Sequence, residues 1–360
     1  MKEYIEGTIE KIREILEKST NPIFYFDNDV DGLCSFLLLR KYCGKGKGVA
    51  IKSFPELDVS YARKIKELGC DYVFVLDKPK ISKGFLERIE KWNNMLVWID
   101  HHPDSLNEEV VKEIERIKDC ITFNPTIYTK INRPTTYWVY KIIGEIESYD
   151  WIATLGCLAD WYVPEFIERI YKKYPDLFES KKIKDAGNVL YETSFGKIVS
   201  ILDFGLKDTT TNIMKMLKFL INVNSPYEIL QESEKNKSMH KRFKQIHQKY
   251  LKLLEKAEKL SKRDIIFFQY RGNLSISAEI ANALLYKYPE KIIVVSYLKG
   301  EMAKISIRSG KNIKEIVARA LEGIKASFGG HENALGAHMK IDDLSKFKKN
   351  LIKIYRESFA

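Results

Sequence analysis

A chain of 360 residues, 45% hydrophobic and 30% charged, has room for two domains with their own cores and the composition of an ordinary soluble globular protein. It has no apolar run of about eighteen residues and no signal-peptide pattern over Met1–Thr20, so no membrane association is expected and the cytoplasm is the default location. The net charge of +11 fits a polyanionic partner such as nucleic acid, while Cys34, Cys43, Cys70, Cys120 and Cys157, without CxxC spacing, suggest neither a zinc ribbon nor a disulfide frame.

Met1–Thr20 reads as a charged amphipathic helix. The stretch Ile23–Leu39 follows, IFYFDNDVDGLCSFLLL, in which a β-favouring run (Ile23, Phe24, Tyr25, Phe26) stops in Asp27, Asp29 and Asp31 and turns through Gly32 into an apolar helix. A buried strand that ends in carboxylates and passes into a helix is the usual site layout of open α/β sheets. If the strand stays extended through the acids, its period of two puts all three carboxylates on one side. Like charges so close repel one another and resist desolvation, and so call for cations. Other readings compete. DxDxDG also opens an EF-hand loop, but the twelfth position, which supplies a bidentate Glu there, is Leu38. Asp29-Val30-Asp31-Gly32 matches the aspartyl-phosphate motif of haloacid-dehalogenase phosphatases only in part, with Leu33 where that motif has Thr. Solvated acids at a strand end are the plain structural alternative.

Further along, Asp31–Cys43 is expected as a helix closed by Gly44–Gly48, Val49–Ser53 as a strand, and Val59–Leu68 as a helix closed by Gly69. Tyr72–Leu76 is a buried strand ending at Asp77; Ser82–Trp92 is a helix with Ser82 as N-cap. Met95–Ile99 is a third buried strand, ending at Asp100-His101-His102-Pro103. This alternation argues for a doubly wound, mainly parallel sheet, with Asp and His side chains delivered from strand ends that share one edge. Helices are expected at Thr135–Glu147, at Asp150–Leu158 (leading to Asp160), at Phe166–Tyr174 and at Ile183–Leu202. The pattern weakens over Gly205–Ser225, and Tyr227–Arg263 is lysine-dense with helical period, either a solvated face or a nucleic-acid-facing one. From Asp264 a smaller α/β domain follows: strands Ile265–Gln269, Lys291–Tyr297 and Met302–Ile307, and helices Ala278–Tyr288, Ile313–Ala320 and Leu344–Arg356. A glycine-rich loop, Phe328–Gly336, lies between the last two helices. The expected organisation is a catalytic domain over 1–205, a helical connector over 206–262 and a C-terminal domain over 263–360.

Taken together, DNDVDGLCS, Asp77 at its strand end, Asp100-His101-His102-Pro103, Asp160 in GCLADWYVP, and GGHENALGA from Gly329 to Ala337 resemble the motifs of the DHH phosphoesterase superfamily with its associated C-terminal domain. RecJ-like exonucleases and nanoRNases belong to that superfamily. The five fragments occur in the family order from residue 27 to residue 337. The resemblance implies two metal ions, Mn²⁺ or Mg²⁺. Asp27, Asp29 and Asp77 would hold one; Asp31, Asp77, His101 and Asp160 would hold the other, with Asp77 bridging. It implies that Asp100 orients a histidine and that His102 contacts the phosphate. Arg308, with Ser309, and the Gly329-Gly330-His331 stretch would grip the substrate. One departure stands out: Asp27 takes the place of the family's leading His, so five carboxylates face two divalent ions. The resemblance points to a two-metal phosphodiesterase, an exonuclease releasing mononucleotides from single-stranded DNA or RNA. The alternatives are a phosphodiesterase of short oligonucleotides, linear or cyclic dinucleotides or nucleotide bisphosphates, and a non-catalytic subunit with replication or repair proteins as partners.

Overall fold

The computed structural model describes residues 2–359 apart from 54, 104, 107, 130, 180 and 181. The chain divides into two compact units, Met1–Phe243 and Lys244–Ala360. The first holds five strands, β1 (Ile23–Asp27), β2 (Lys47–Ile51), β3 (Tyr72–Leu76), β4 (Met95–Ile99) and β5 (Cys120–Phe123), in the order β2-β1-β3-β4-β5. Every pairing in this sheet is parallel.

An all-parallel sheet needs cover on both faces, and β1 meets that need with an unbroken apolar run. Ile23 and Tyr25 join Val73, Val75, Trp98, Phe85 and Ile89 in one core layer. Phe24 and Phe26 point the other way, onto Phe36 of the helix Val30–Cys43, the Phe26 and Phe36 rings stacking at 5.0 Å. That helix is buried continuously from Val30 to Leu39, which is why it is apolar all round rather than amphipathic. Truncating Phe36 to Ala would remove the ring between helix and sheet and cost about 3–5 kcal/mol.

The strand does not stay extended through the acids. It ends at Asp27; Asp29 is the N-cap of the helix, its carboxylate accepting from Gly32 N–H at 2.9 Å, and Asp31 lies in the first helical turn. The helix enters so close to the strand end that a Cβ on Gly32 would lie 2.6 Å from the Asp27 carbonyl oxygen. Helices Thr135–Ile142, Asp150–Ala159, Ile167–Lys173 and Ala186–Glu192 complete this side, followed by Ser194–Leu206, Thr210–Leu220 and Pro226–Leu230. The single helix expected over 183–202 is two, because Thr193 leaves helical geometry and its hydroxyl caps the second at Gly196 N–H. The helix Thr210–Leu220 was not expected, although Thr209 caps it and Ile213, Met216, Leu217 and Leu220 form its buried stripe.

The second unit is a mixed sheet of β6 (Ile265–Arg271), β7 (Ile292–Lys299), β8 (Met302–Arg308), β9 (Ala326–His331) and β10 (Ala334–Lys340), ordered β6-β7-β8-β10-β9. Only β6 and β7 run parallel, joined through the helix Ser277–Lys287. Its core includes Val294, Ile305, Ile307, Leu335, Ala337 and Met339, packed with Val317, Phe347 and Leu351 of the helices Lys314–Ala320 and Leu344–Phe359. The glycine-rich segment 328–336 is therefore not a loop but most of a hairpin. Leu335, Ala337 and Met339 of β10 alternate into the core, and pairing with β10 makes β9 a strand despite its glycines. The helix Lys237–Glu258 crosses the boundary between the units, and the region expected as a connector is shared by them. Among the described residues, no helix is long and apolar enough to cross a membrane.

Candidate metal centre

Four short segments at the carboxyl edge of the parallel sheet bring acids and histidines together. Asp77, one residue past β3, adopts a left-handed backbone, φ 56°, which Asp tolerates better than most residues but which still stores strain. Its N–H remains bonded to Ile99 O at 2.9 Å, so the strained turn is anchored to β4. Asp100, His101 and His102 follow β4 directly. Asp160 is the C-cap of the helix Asp150–Ala159.

His101 is the hub. Its Nε2 lies 3.4 Å from Asp77 Oδ1, 3.6 Å from Asp160 Oδ2 and 4.0 Å from Asp31 Oδ2. Its Nδ1 donates to Asn132 Oδ1 at 2.8 Å, which fixes the tautomer, so Nε2 presents its lone pair to three carboxylates. A lone pair facing anions is repulsive unless a cation sits among them. Three carboxylates and one imidazole are a donor set for Mn²⁺ or Mg²⁺ rather than for a thiolate-seeking ion. Asp31, His101 and Asp160 form one group whose ligand atoms lie within 4.8 Å of one another, and Asp77, Asp100 and His102 form another. These residues fit a divalent metal.

Burial and mutual repulsion act on most of these carboxylates. Burial and then the repulsion of Asp27 and Asp31 push Asp29 up to about 7. Burial and Asp160 push Asp31 up to about 6 against the opposing pull of His101. Asp77 rises well above the carboxylate range, through burial first and then Asp31 and Asp29. Asp100 behaves in the opposite way: burial would raise it, but His102, 2.8 Å away through Nδ1, holds it low. Burial likewise opposes charge on His102, yet Asp100 overcomes it and lifts that imidazole to about 9. Asp100 also accepts from His102 N–H at 3.1 Å, so it both orients this histidine and keeps it cationic near neutrality.

Several residues here were not singled out in the sequence. Thr135 and Thr136 open the helix Thr135–Ile142, and their backbone N–H groups donate to the two oxygens of Asp31 at 2.9 and 2.7 Å; Asp31 thus sits at a helix N-terminus, where a carboxylate is favoured. The Thr135 hydroxyl donates to Asp77 Oδ1 at 3.0 Å. Pro134, just before this turn, was the one local signal of a helix start. Lys78 left no signal at all. It is 2% exposed, and its Nζ lies 3.1 Å from Asp27 Oδ1 and 3.2 Å from Ser53 O.

The residues expected to grip substrate lie in the second unit. Arg308 and His331 both sit opposite Ala334 of the central strand β10, so three adjacent strands carry them side by side. The Arg308 guanidinium is braced by Asn282 Oδ1 at 2.6 Å and Ile307 O at 2.9 Å. Ser309 is buried, and its hydroxyl accepts from Lys311 N–H, a turn-forming contact. Gly330 has φ 128°, and a Cβ there would run into Ala334 O, so this position requires glycine.

Residues 264–357 match the DHHA1 domain family. The fold of the whole chain is similar to RecJ from Thermus thermophilus in complex with Mn²⁺, with TM-score 0.67, 14% identity, and 98% of this chain and 55% of that one covered. This chain therefore spans about half the length of that protein. It is also similar to the DHH domain of a protein described as belonging to a family of ribosomal proteins (TM-score 0.64, 14% identity, 98% and 91% covered). A third similar structure is an exonuclease RecJ bound to manganese (TM-score 0.59, 14% identity, 97% and 94% covered). No curated protein matches the chain. Residues 264–357 thus carry a DHHA1-family domain, and the chain as a whole shares the fold of these RecJ and DHH-domain structures. Its architecture is RecJ-like.

Proposed function

We propose that the protein is a metal-dependent phosphodiesterase that hydrolyses single-stranded nucleic acid from an end, releasing mononucleotides. The observation that carries this reading is the convergence of His101 Nε2 with the carboxylates of Asp77, Asp160 and Asp31. A divalent cation held there, Mn²⁺ by preference, supplies Lewis-acid activation of a phosphodiester and of the attacking water. The chain's own part is positional and electrostatic. Asn132 and Thr135 fix His101 and Asp77; the cationic His102, paired to Asp100, faces phosphate charge as it develops. Arg308 and His331, carried on neighbouring strands, hold the phosphates of the terminal nucleotide. The RecJ structures noted above, both determined with divalent metal, support the choice of class and ion.

A polymer is favoured over a dinucleotide by the exposed lysines of the helix Lys237–Glu258, namely Lys237, Lys241, Lys244, Lys249, Lys252 and Lys256. Phe243 and Tyr250 on the same helix are 7% and 9% exposed and belong to its packed face, so the proposal rests on the lysines and not on base stacking. The test is a Mn²⁺-supplemented panel of end-labelled single strands, blunt duplexes, dinucleotides and cyclic dinucleotides. Mononucleotide release from single strands, abolished by chelation, is expected. Turnover of dinucleotides alone would move the assignment to short substrates.

One observation favours a second reading, a nucleic-acid-binding subunit that does not hydrolyse its ligand: the Asp27 carboxylate is already engaged by Lys78. Strand binding with no product from any substrate at saturating Mn²⁺ would select it.

A further inference from the structure

The acids at the sheet edge do not form a symmetric basin. On the His101 side the oxygens of Asp31, Asp77 and Asp160 converge with an imidazole, and among the described residues no lysine or arginine forms an ion pair with those carboxylates. On the Asp27 side a cation is already built into the chain. The left-handed turn at Asp77 sends the next residue, Lys78, back across β1, and the indole N–H of buried Trp98 holds the Lys78 carbonyl at 2.8 Å. From that anchored backbone the ammonium reaches Asp27 Oδ1 at 3.1 Å and Ser53 O at 3.2 Å, with the lysine side chain only 3% exposed. A lysine so deeply buried stays charged only beside an anion, and removing that anion leaves an uncompensated charge. Asp29, meanwhile, spends one oxygen on the helix N-terminus at Gly32. Neither Asp27 nor Asp29 belongs to either of the acid-bearing groups of converging ligand atoms described above.

We propose that the Lys78 ammonium occupies the electrostatic place of one metal ion, so that the centre binds a single divalent cation, held by Asp31, Asp77, His101 and Asp160. The inference rests on the metal-centre reading above but not on hydrolysis. A divalent ion at Asp27 and Asp29 would have to sit beside a fixed positive charge in a poorly solvated site, where like charges repel most strongly. The Asp27–Lys78 pair is then the physical counterpart of a neutral ligand: an anion cancelled by its own cation. The second positive charge of the centre is supplied covalently and cannot be removed by chelation.

Equilibrium dialysis with Mn²⁺ and electron paramagnetic resonance on the intact chain test this directly. One bound Mn²⁺ per chain is expected, with the spectrum of an isolated ion unchanged between one and two added equivalents. Lys78→Met, similar in length but neutral, should admit a second Mn²⁺ and produce the broadened spectrum of an exchange-coupled pair. Two ions bound by the unaltered protein, with a coupled spectrum, would overturn the proposal; so would a folded Lys78→Met protein that still binds one. Should that variant not fold, the count and spectrum of the unaltered chain decide alone. No Mn²⁺ bound would overturn both this inference and the metal-centre reading. One ion bound without hydrolysis of any substrate would leave the inference standing and remove only the catalytic reading.

Discussion

The two sheets of this protein end in opposite chemistry. In the first unit, parallel strands converge on buried carboxylates whose mutual repulsion is left in place: Asp29, Asp31 and Asp77 all titrate above the ordinary carboxylate range. In the second, Arg308 ends β8 and His331 ends the edge strand β9, which is exposed along most of its length. The difference teaches where each kind of work is done. Buried like charges repel one another and a bound cation relieves that repulsion, so the acid edge of the first unit suits a cation. Side chains on an exposed strand margin relieve nothing by themselves and suit a ligand that brings its own negative charge. Substitutions in the first unit should therefore act on metal and stability together, and those in the second on substrate alone.

The sharpest break of this contrast is Asp77→Asn. Asp77 lies 3.4 Å from His101 Nε2, and the substitution removes a buried charge. Hydrolysis should fall at least about a hundredfold, roughly 2.7 kcal/mol on the barrier. The metal-free protein should melt at a higher temperature than the unaltered one, because like-charge repulsion is relieved. A variant that keeps full activity would remove Asp77 from the centre. Arg308→Ala is the counter-experiment in the second unit. Loss of a charge-assisted contact to phosphate is worth about 1.5–3 kcal/mol, so KM should rise roughly ten- to a hundredfold while Mn²⁺ binding by calorimetry stays the same. Weakened Mn²⁺ binding with unchanged KM would reverse the division of labour.

The pH dependence of stability sharpens the same point. Asp29 and Asp31 have folded values of about 7 and about 6 against an ordinary 3.8, so the folded chain holds protons that the unfolded chain releases. A carboxyl group raised in this way contributes stability that is fully present below 3.8 and is lost as pH climbs through the folded value. With chelator present, the melting temperature should fall between about pH 4 and pH 7. Added Mn²⁺ should raise it more at pH 8 than at pH 5, since only the deprotonated carboxylates bind metal. A chelated protein equally stable across that window would mean that the acids are solvated and not under mutual strain. Thr135→Val should act on the same balance by a smaller amount: without the hydroxyl bond to Asp77, Mn²⁺ affinity should drop about tenfold, with the fold intact.

The sequence is readable where the signal is local. Apolar runs that stop in acid mark the places of β1, β3 and β4, and Ser82 caps its helix where the start reads. What cannot be read is what distant chain does to those acids. Thr136 and Asp31 are 105 positions apart, Asn132 and His101 are 31, and no local pattern announces either bond. Lys78 is invisible for a different reason: lysine is expected in solvent, and only the left-handed turn at Asp77 directs it inward. β9 reads as a loop because of its glycines, whereas pairing with β10 makes it a strand.

The smallest expected effect lies on neither sheet, along the helix Lys237–Glu258. Met239, Phe243, Ile246, Tyr250, Leu254 and Ala257 recur at helical spacing on its buried face, and the exposed lysines occupy the remainder. Lysines on a solvated face lose nothing on folding, so replacing Lys241, Lys244 and Lys252 with Glu should leave the melting temperature almost unmoved. If the face follows a trailing phosphate backbone, the loss appears only with substrates long enough to reach it. A twelve-nucleotide strand should then bind several-fold more weakly to the triple variant, while a dinucleotide is unaffected. Each lysine–phosphate contact releases condensed counter-ions, contributing roughly 0.7 to the slope of log affinity against log salt for a single strand. The triple change should therefore flatten that slope by about 2 if all three lysines are in contact. Salt titration is the more discriminating measurement, since a slope reports the number of contacts even when single-salt affinities differ little. An unchanged slope would confine recognition to the terminal nucleotide and leave the lysine face as solvated surface.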